Sequence, residues 1–207
     1  MAFLFDKENH WIHDIFIKKR LILKNYSFEI FFYEKEVSNF DIVFILGYTK
    51  ILPAEFFERN RLNLVVHESD LPKGKGFAPV QWQLLEGSSE ITVSLIEAVD
   101  KVDSGDIFLQ KKMNFDGTEL YDEIRSKQAD TSLDIITDFL KSYPKFTRRK
   151  QEGVETFYPK RTMKDGELEM SKTLEQNFNL LRVSNNEEWP SFFHYRGNKY
   201  LLKIFKE

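Results

Sequence analysis

Cysteine is absent from the 207 residues. Disulfides and thiolate metal sites are therefore excluded. No stretch reaches the roughly 18 uncharged apolar residues that a membrane span needs. The amino-terminal "MAFLFDKENH" has neither the basic region nor the cleavage pattern of a secretory leader. These absences agree with a cytoplasmic chain that has no membrane partner. An excess of positive charge is also missing. Lys and Arg number 30 against 33 Asp and Glu, for a net charge of −3. The densest basic clusters, "IKKR" (17–20) and "TRRK" (147–150), read as solvated surface. Nucleic-acid backbone thus has no evident electrostatic footing, and none is expected as a partner. Internal repeats and low-complexity tracts are lacking too.

What the chain does have is apolar mass: 42% hydrophobic residues, including 20 Phe and 8 Tyr. Short apolar runs alternate with helical patterns as far as residue 143. "MAFLFD", "FEIFFY", "FDIVFILGY", "LNLVVHE", "ITVSLIEAV" and "DIFLQKKMNF" read as strands. "HWIHDIFIKKRLI", "AEFFERN", "PVQWQLLEG" and a long segment over about 118–142 read as helices, the third ending at Gly87, a good residue for a left-handed cap. This order predicts an α/β fold with an open, doubly wound, mostly parallel sheet over 1–145. From 146 to 207 the texture is polar and turn-rich. It predicts a small C-terminal extension of one helix, "TLEQNFNLLRVSNN", and a hairpin turning at Gly197-Asn198.

In open α/β sheets ligands bind outside the carboxyl ends of the strands. Two segments fall there: Gly47-Tyr48-Thr49, and His67 with the turn "ESDLPKGKG" after it. Asp103, in "KVDSGD", lies between two later strands. A carboxylate beside an imidazole orients it and favours its charged form, so His67 and Asp103 at neighbouring strand ends make a candidate acid–base pair. Taken singly, each has a plain structural reading, as a core histidine and a turn former.

Residues 67–110, "HESDLPKGKGFAPVQWQLLEGSSEITVSLIEAVDKVDSGDIFLQ", resemble the signature of the folate-dependent formyltransferases. The resemblance is carried by His67, Ser69, Leu71, Pro72, Gly76, Pro79, Gln81, Gly87, Thr92, Asp103, Gly105 and Asp106, and by the 36-position interval from His67 to Asp103. It implies a Rossmann-like core and transfer of a formyl group from N10-formyltetrahydrofolate to a primary amine, without a metal. His67 would face the developing oxyanion. Asp103 would orient it and help to take the amine's proton. Upstream, "GYTKILP" (47–53) resembles the family's pterin loop. By this likeness Tyr48, Thr49, Lys50, Ile51 and Leu52, with Ala98, Val99, Asp100, Lys101 and Val102, would hold the folate.

One position departs from the pattern. The family has Asn two residues before the histidine, and here that residue is Val65. Three accounts stand at this point. Asn63, on the same face of the strand, fills the role through a bulge; or a backbone N–H or water does; or the chain is weakly active or only binds.

The tail resembles the region after the catalytic core in sugar N-formyltransferases, in "FYPKRT" (157–162) and "NLLRVSNNEEWPSFFHYRGNKYLLKI" (179–204). This likeness implies a nucleotide-linked aminodeoxy sugar as the acceptor, used for surface glycans. Lys73, Lys75, Lys160 and Arg161 are then candidates for its diphosphate, and Trp82 and Tyr158 for stacking on its rings. Gln81 would read a hydroxyl, with Ser69 beside the substrate. The tRNA enzyme's further domain finds no room in this length. The rival acceptors are glycinamide ribonucleotide and a carrier-bound amino acid. The rival of another kind is a non-catalytic folate or nucleotide-sugar binder. The aromatic "SFFHY" suggests a homodimer through the hairpin edge.

Overall fold

Runs such as "AFLF" and "VFIL" carry no polar residue, and such strands settle where both faces are covered. The computed structural model describes residues 1–7 and 10–207. In chain order its elements are β1 (Ala2–Phe5), α1 (Trp11–Lys19), β2 (Glu29–Phe31), β3 (Val43–Leu46), α2 (Ala54–Glu58), β4 (Asn63–His67), β5 (Lys75–Gly76), α3 (Pro79–Leu85), β6 (Glu90–Glu97) and β7 (Ile107–Asn114), followed by α4 (Tyr121–Ser142), β8 (Phe157–Tyr158), α5 (Leu174–Arg182), β9 (Ser191–Tyr195) and β10 (Asn198–Leu202).

The main sheet has the order β2-β1-β3-β4-β6-β7. β1 pairs in parallel with β2 and β3, and β3 with β4. β6 runs antiparallel to both β4 and β7. The architecture is thus mixed α/β with a mostly parallel sheet. Strand alternation sends Phe3, Phe5, Phe44, Leu64 and Val66 to one face, where they pack with Phe16 of α1 and Ile136 and Phe139 of α4. Ala2, Leu4, Val43 and Ile45 point to the other face and meet Phe56 of α2. A fully buried aliphatic or Phe side chain contributes about 1.5–3 kcal/mol, so this two-sided core is the main stabilising mass.

Local chemistry sets several boundaries. Pro79 opens α3, where its missing N–H costs nothing, and Gly87 closes it at φ +87°. The Glu123 carboxylate accepts the Leu120 N–H and so starts α4 at Tyr121, three residues later than the sequence suggests. Thr173 Oγ1 accepts the Gln176 N–H while Gln176 accepts the Thr173 N–H, a reciprocal cap on α5.

Two features differ from the sequence reading. The β9–β10 hairpin turns at Arg196-Gly197, both with positive φ (48° and 80°), because Asn198 already pairs with Tyr195. And β5 pairs in parallel with β8, Lys75 opposite Phe157 and Gly76 opposite Tyr158. This short ladder fastens the C-terminal segment to the loop that follows His67. A Cβ on Gly76 would lie 2.5 Å from the Tyr158 carbonyl oxygen, at φ +95°, so the contact requires glycine.

Candidate functional site

The carboxyl ends of β1, β3 and β4 open into one cavity of about 880 Å³, within the usual range for ligand sites. His67, the last residue of β4, is 6% exposed and lines this cavity. Its Nε2 lies 2.8 Å from the Gly74 carbonyl oxygen. A carbonyl only accepts, so Nε2 carries a proton and donates there. Its Nδ1 lies 3.5 Å from Asp103 Oδ1. That is longer than a hydrogen bond, and a third atom placed between the two is within reach of both.

Asp103 does not arrive from a neighbouring strand end. His67 pairs with Ser94 and Leu64 with Glu97, so β6 finishes beside the opposite end of β4, where the Ala98 N–H donates to the Asn63 carbonyl. The loop 98–106 must therefore double back along the sheet to bring Asp103 to His67. It is held there from several sides. Asp103 adopts a left-handed φ of 50°. Its Oδ2 accepts the Gly76 N–H at 2.9 Å. Gln151 Nε2 donates to the carbonyls of both Asp103 and Gly105 at 2.9 Å. Gly105 lies so close to the strand that a Cβ there would meet the Glu97 carbonyl oxygen at 1.9 Å.

Val65 also lines the cavity, and its side chain packs against Leu71, Ile96 and Ile107. Asn63 does not substitute for an asparagine at that position. β4 keeps regular register with β3 and β6, without a bulge. Four residues of extended strand put Asn63 about 13 Å from His67. Its Nδ2 donates to the Phe57 carbonyl at 3.2 Å. This corrects the expectation for Asn63.

Of the ten folate candidates, nine line the cavity: Tyr48, Thr49, Lys50, Ile51 and Leu52 from the loop after β3, and Ala98, Val99, Asp100 and Val102 from the loop after β6. The Tyr48 hydroxyl donates to Glu34 Oε2 at 2.8 Å, and burial, then this bond, raises its pKa well above the ordinary phenol value. Thr49 donates to Asp6 Oδ2 at 2.9 Å. Lys101 points elsewhere, its Nζ 3.2 Å from Glu155 Oε1.

The acceptor candidates divide more sharply. Gln81, Lys160 and Arg161 line the cavity. Lys75 does not. It is 1% exposed, its Nζ bonded to Glu155 Oε1 at 2.7 Å and to Ser104 Oγ at 2.9 Å. Trp82 and Tyr158 also lie outside the lining. They stack on each other at 6.3 Å, with the indole N–H donating to the Pro159 carbonyl and the Tyr158 hydroxyl to Glu86. Ser69 is buried under the turn with no partner for its Oγ, and Lys73 is exposed outside the cavity.

Among the lining residues that sequence reasoning passed over are His10, Glu68 and Arg125. Glu68 accepts Gln128 Nε2 at 2.5 Å. A signal for Arg125 exists on α4, whose buried face is interrupted by Gln128 and Ser132. Polar residues on a helix's core side mark a place where the core gives way to a cavity. Among the described residues, no three His, Asp or Glu side chains gather as metal ligands do, and no helix is long and apolar enough to cross a membrane.

A family model described as formyl transferase matches residues 30–140. A methionyl-tRNA formyltransferase of Lachnospira eligens is 28% identical over 181 residues, 86% of this chain and 56% of its own length. The chain spans about half the length of the curated relatives it matches. Among solved structures, a methionyl-tRNA formyltransferase from Clostridium thermocellum superposes with a TM-score of 0.79 at 23% identity, covering 99% of this chain and 92% of that one. A sugar N-formyltransferase from Shewanella sp FDAARGOS_354 gives 0.69 at 13% identity, covering 100% and 98%. At these identities the likeness speaks for the fold.

Proposed function

The chain belongs to the formyl transferase family, and from that premise we propose that it moves a formyl group from N10-formyltetrahydrofolate to the amine of a nucleotide-linked aminodeoxy sugar. One observation carries the reading. His67 and Asp103 stand in a single cavity whose lining joins the loops 48–52 and 98–102 to a cationic part with Gln81, Arg125, Lys160 and Arg161. The first part suits the pterin end of a folate. The second suits an acceptor that bears phosphate.

The chemistry follows from the pair. The acceptor nitrogen attacks the formyl carbon, a C–N bond forms, and the carbonyl π pair moves to oxygen. His67 Nδ1, once protonated, donates to that oxygen, since Nε2 is already committed to Gly74. Asp103 takes the proton that the amine sheds, directly or through a water. Collapse of the tetrahedral carbon breaks its bond to N10, which leaves with a proton, and the amide remains on the acceptor. Val65 offers no donor to the oxyanion, so no side-chain amide reaches it from that position of β4.

A second reading, an aminoacyl ester on tRNA, is favoured by the names of the curated relatives. The net charge of −3 lends it no long-range attraction. Incubation with N10-formyltetrahydrofolate and a panel of acceptors, read by mass, separates the two. The panel holds nucleotide-linked amino sugars, glycinamide ribonucleotide and methionyl-tRNA. An amino sugar is expected to gain the formyl mass, about 100- to 10,000-fold more slowly with His67→Ala. Formylation of methionyl-tRNA alone, or of nothing, overturns the proposal.

A further inference from the structure

Two arginines reach the cavity from distant parts of the chain, Arg125 from α4 and Arg161 from the segment after β8. Their hydrogen bonds go to neutral acceptors. Arg125 Nη1 donates to Gln128 Oε1 at 2.8 Å. With the Gln81 amide turned so that its oxygen faces the guanidinium, that oxygen accepts from Nη1 at 3.1 Å and from Nη2 at 2.9 Å. Arg161 Nη2 donates to the Asp165 carbonyl at 3.1 Å. The Nε of each is buried and has no partner. Among the described residues neither guanidinium forms an ion pair.

Aromatic rings hold both by their flat faces. Arg125 sits 4.3 Å from the Trp11 ring centre and 5.0 Å from that of Tyr121. Arg161 sits 5.9 Å from that of Trp82. A guanidinium over an aromatic face is attracted by the ring and keeps its N–H groups for other ligands. Burying two guanidiniums is costly. Burial lowers the Arg161 pKa, Asp165 opposes that shift, and the charge of Arg125 adds to it. His10, also lining the cavity, is lowered by burial and then by Arg125, and its Nδ1 is buried without a partner. Asp6 and Glu188 act the other way on His10, yet the two guanidiniums keep buried donors that an anion would satisfy.

We propose that Arg125 and Arg161 form a two-arginine clamp for the diphosphate of the acceptor, one guanidinium to each phosphate. The proposal rests on the reading of the cavity as an amine-acceptor site and deepens it. It replaces Lys73 and Lys75 as the diphosphate ligands and adds a residue, Arg125, from the core helix. A guanidinium presents two parallel N–H groups to a phosphate, and side chains already held by hydrogen bonds lose little order on binding.

Isothermal titration of the full chain with inorganic pyrophosphate, and separately with orthophosphate, tests this. Pyrophosphate is expected to bind more tightly than orthophosphate. Arg125→Gln and Arg161→Gln should each weaken it about 10- to 100-fold. Arg125→Lys, which keeps charge but not the fork, should fall between wild type and Arg125→Gln. Thermal melting monitors folding. If Arg125→Gln melts early, Arg125→Lys and Arg161→Gln carry the comparison. His67→Ala should bind pyrophosphate as wild type does, so a chain that formylates no amine can still show the clamp. Absence of pyrophosphate binding by the wild type, equal affinity for orthophosphate, or wild-type affinity in the arginine variants overturns the proposal.

Discussion

Val65→Asn is expected to make the protein faster. Val65 and His67 point to one face of β4, one side-chain step of about 7 Å apart. Val65 already lines the cavity, so an amide placed there would face the same space as the imidazole. A donor aimed at a developing oxyanion is worth about 100- to 1000-fold in rate, or roughly 3–4 kcal/mol. An installed amide lacks a supporting shell, and part of that gain is lost to imperfect aim. The valine also gives up contacts with Leu71, Ile96 and Ile107, at a stability cost of about 1 kcal/mol. The net expectation is a rise in kcat of at least about 10-fold with little change in the KM for folate. The new bond strengthens only as charge develops on oxygen, so its effect falls on kcat. Steady-state kinetics with the acceptor that gains the formyl mass, alongside thermal melting, reads both terms. An unchanged or lower kcat in a variant that melts and binds folate like wild type would refute the view that this site lacks a side-chain donor. Asn63→Ala is the matched control. Its amide is spent on the Phe57 carbonyl, so kcat should stay within about 2-fold of wild type while stability drops by roughly 1 kcal/mol.

Three further outcomes are expected. Asp103→Asn keeps an oxygen for the Gly76 N–H but loses the charge and the base. Its kcat should fall about 100- to 10,000-fold with folate affinity near wild type, as equilibrium binding will show. Lys75→Met replaces a buried cation by an apolar side chain of similar length, and Glu155 is solvent-accessible and keeps Lys101, so the variant should melt within about 1 kcal/mol of wild type. Yet kcat should drop about 10-fold, because Ser104 and Glu155 lose the group that ties them together beside Asp103; full activity would exclude that role. The third concerns acid. Burial pushes the Glu119 carboxyl up, but its bonds to Lys127 and the Asp116 N–H outweigh this and leave its pKa below 4.5. A carboxylate lowered on folding stabilises fully above the unfolded value and loses that contribution as pH falls through the folded one. Wild type should therefore lose melting temperature below about pH 4.5, and Glu119→Gln should lack that part of the decline.

The strands and helices of the core were legible because hydrophobic period and turn residues agree there. "VFIL", short, apolar and bounded by Gly47, reads as a buried strand, and Pro79 and Gly87 mark both ends of α3. His67 was legible as a strand-end residue. Less was legible where contacts are long-range. β5 and β8 are two residues each and pair across 82 positions, and so short a pairing leaves no periodic trace. Lys75 reads as an exposed turn cation until Glu155 is brought beside it. Trp82 and Tyr158 suit a ligand's rings by composition, and the fold stacks them on each other. The hairpin slipped by one residue because Gly197 serves equally well as the first or second turn position, and only the pairing of Asn198 with Tyr195 decides.

The β5–β8 ladder also sets an order of assembly. The sheet from β1 to β7 and the helix α4 draw on residues up to 142. The neighbours that fix Asp103 and the loop after His67 include Gln151, Glu155, Thr156 and Tyr158. Contacts that close long loops form late. The residues that build the core are thus synthesised before those that hold Asp103 and the loop after His67 in place.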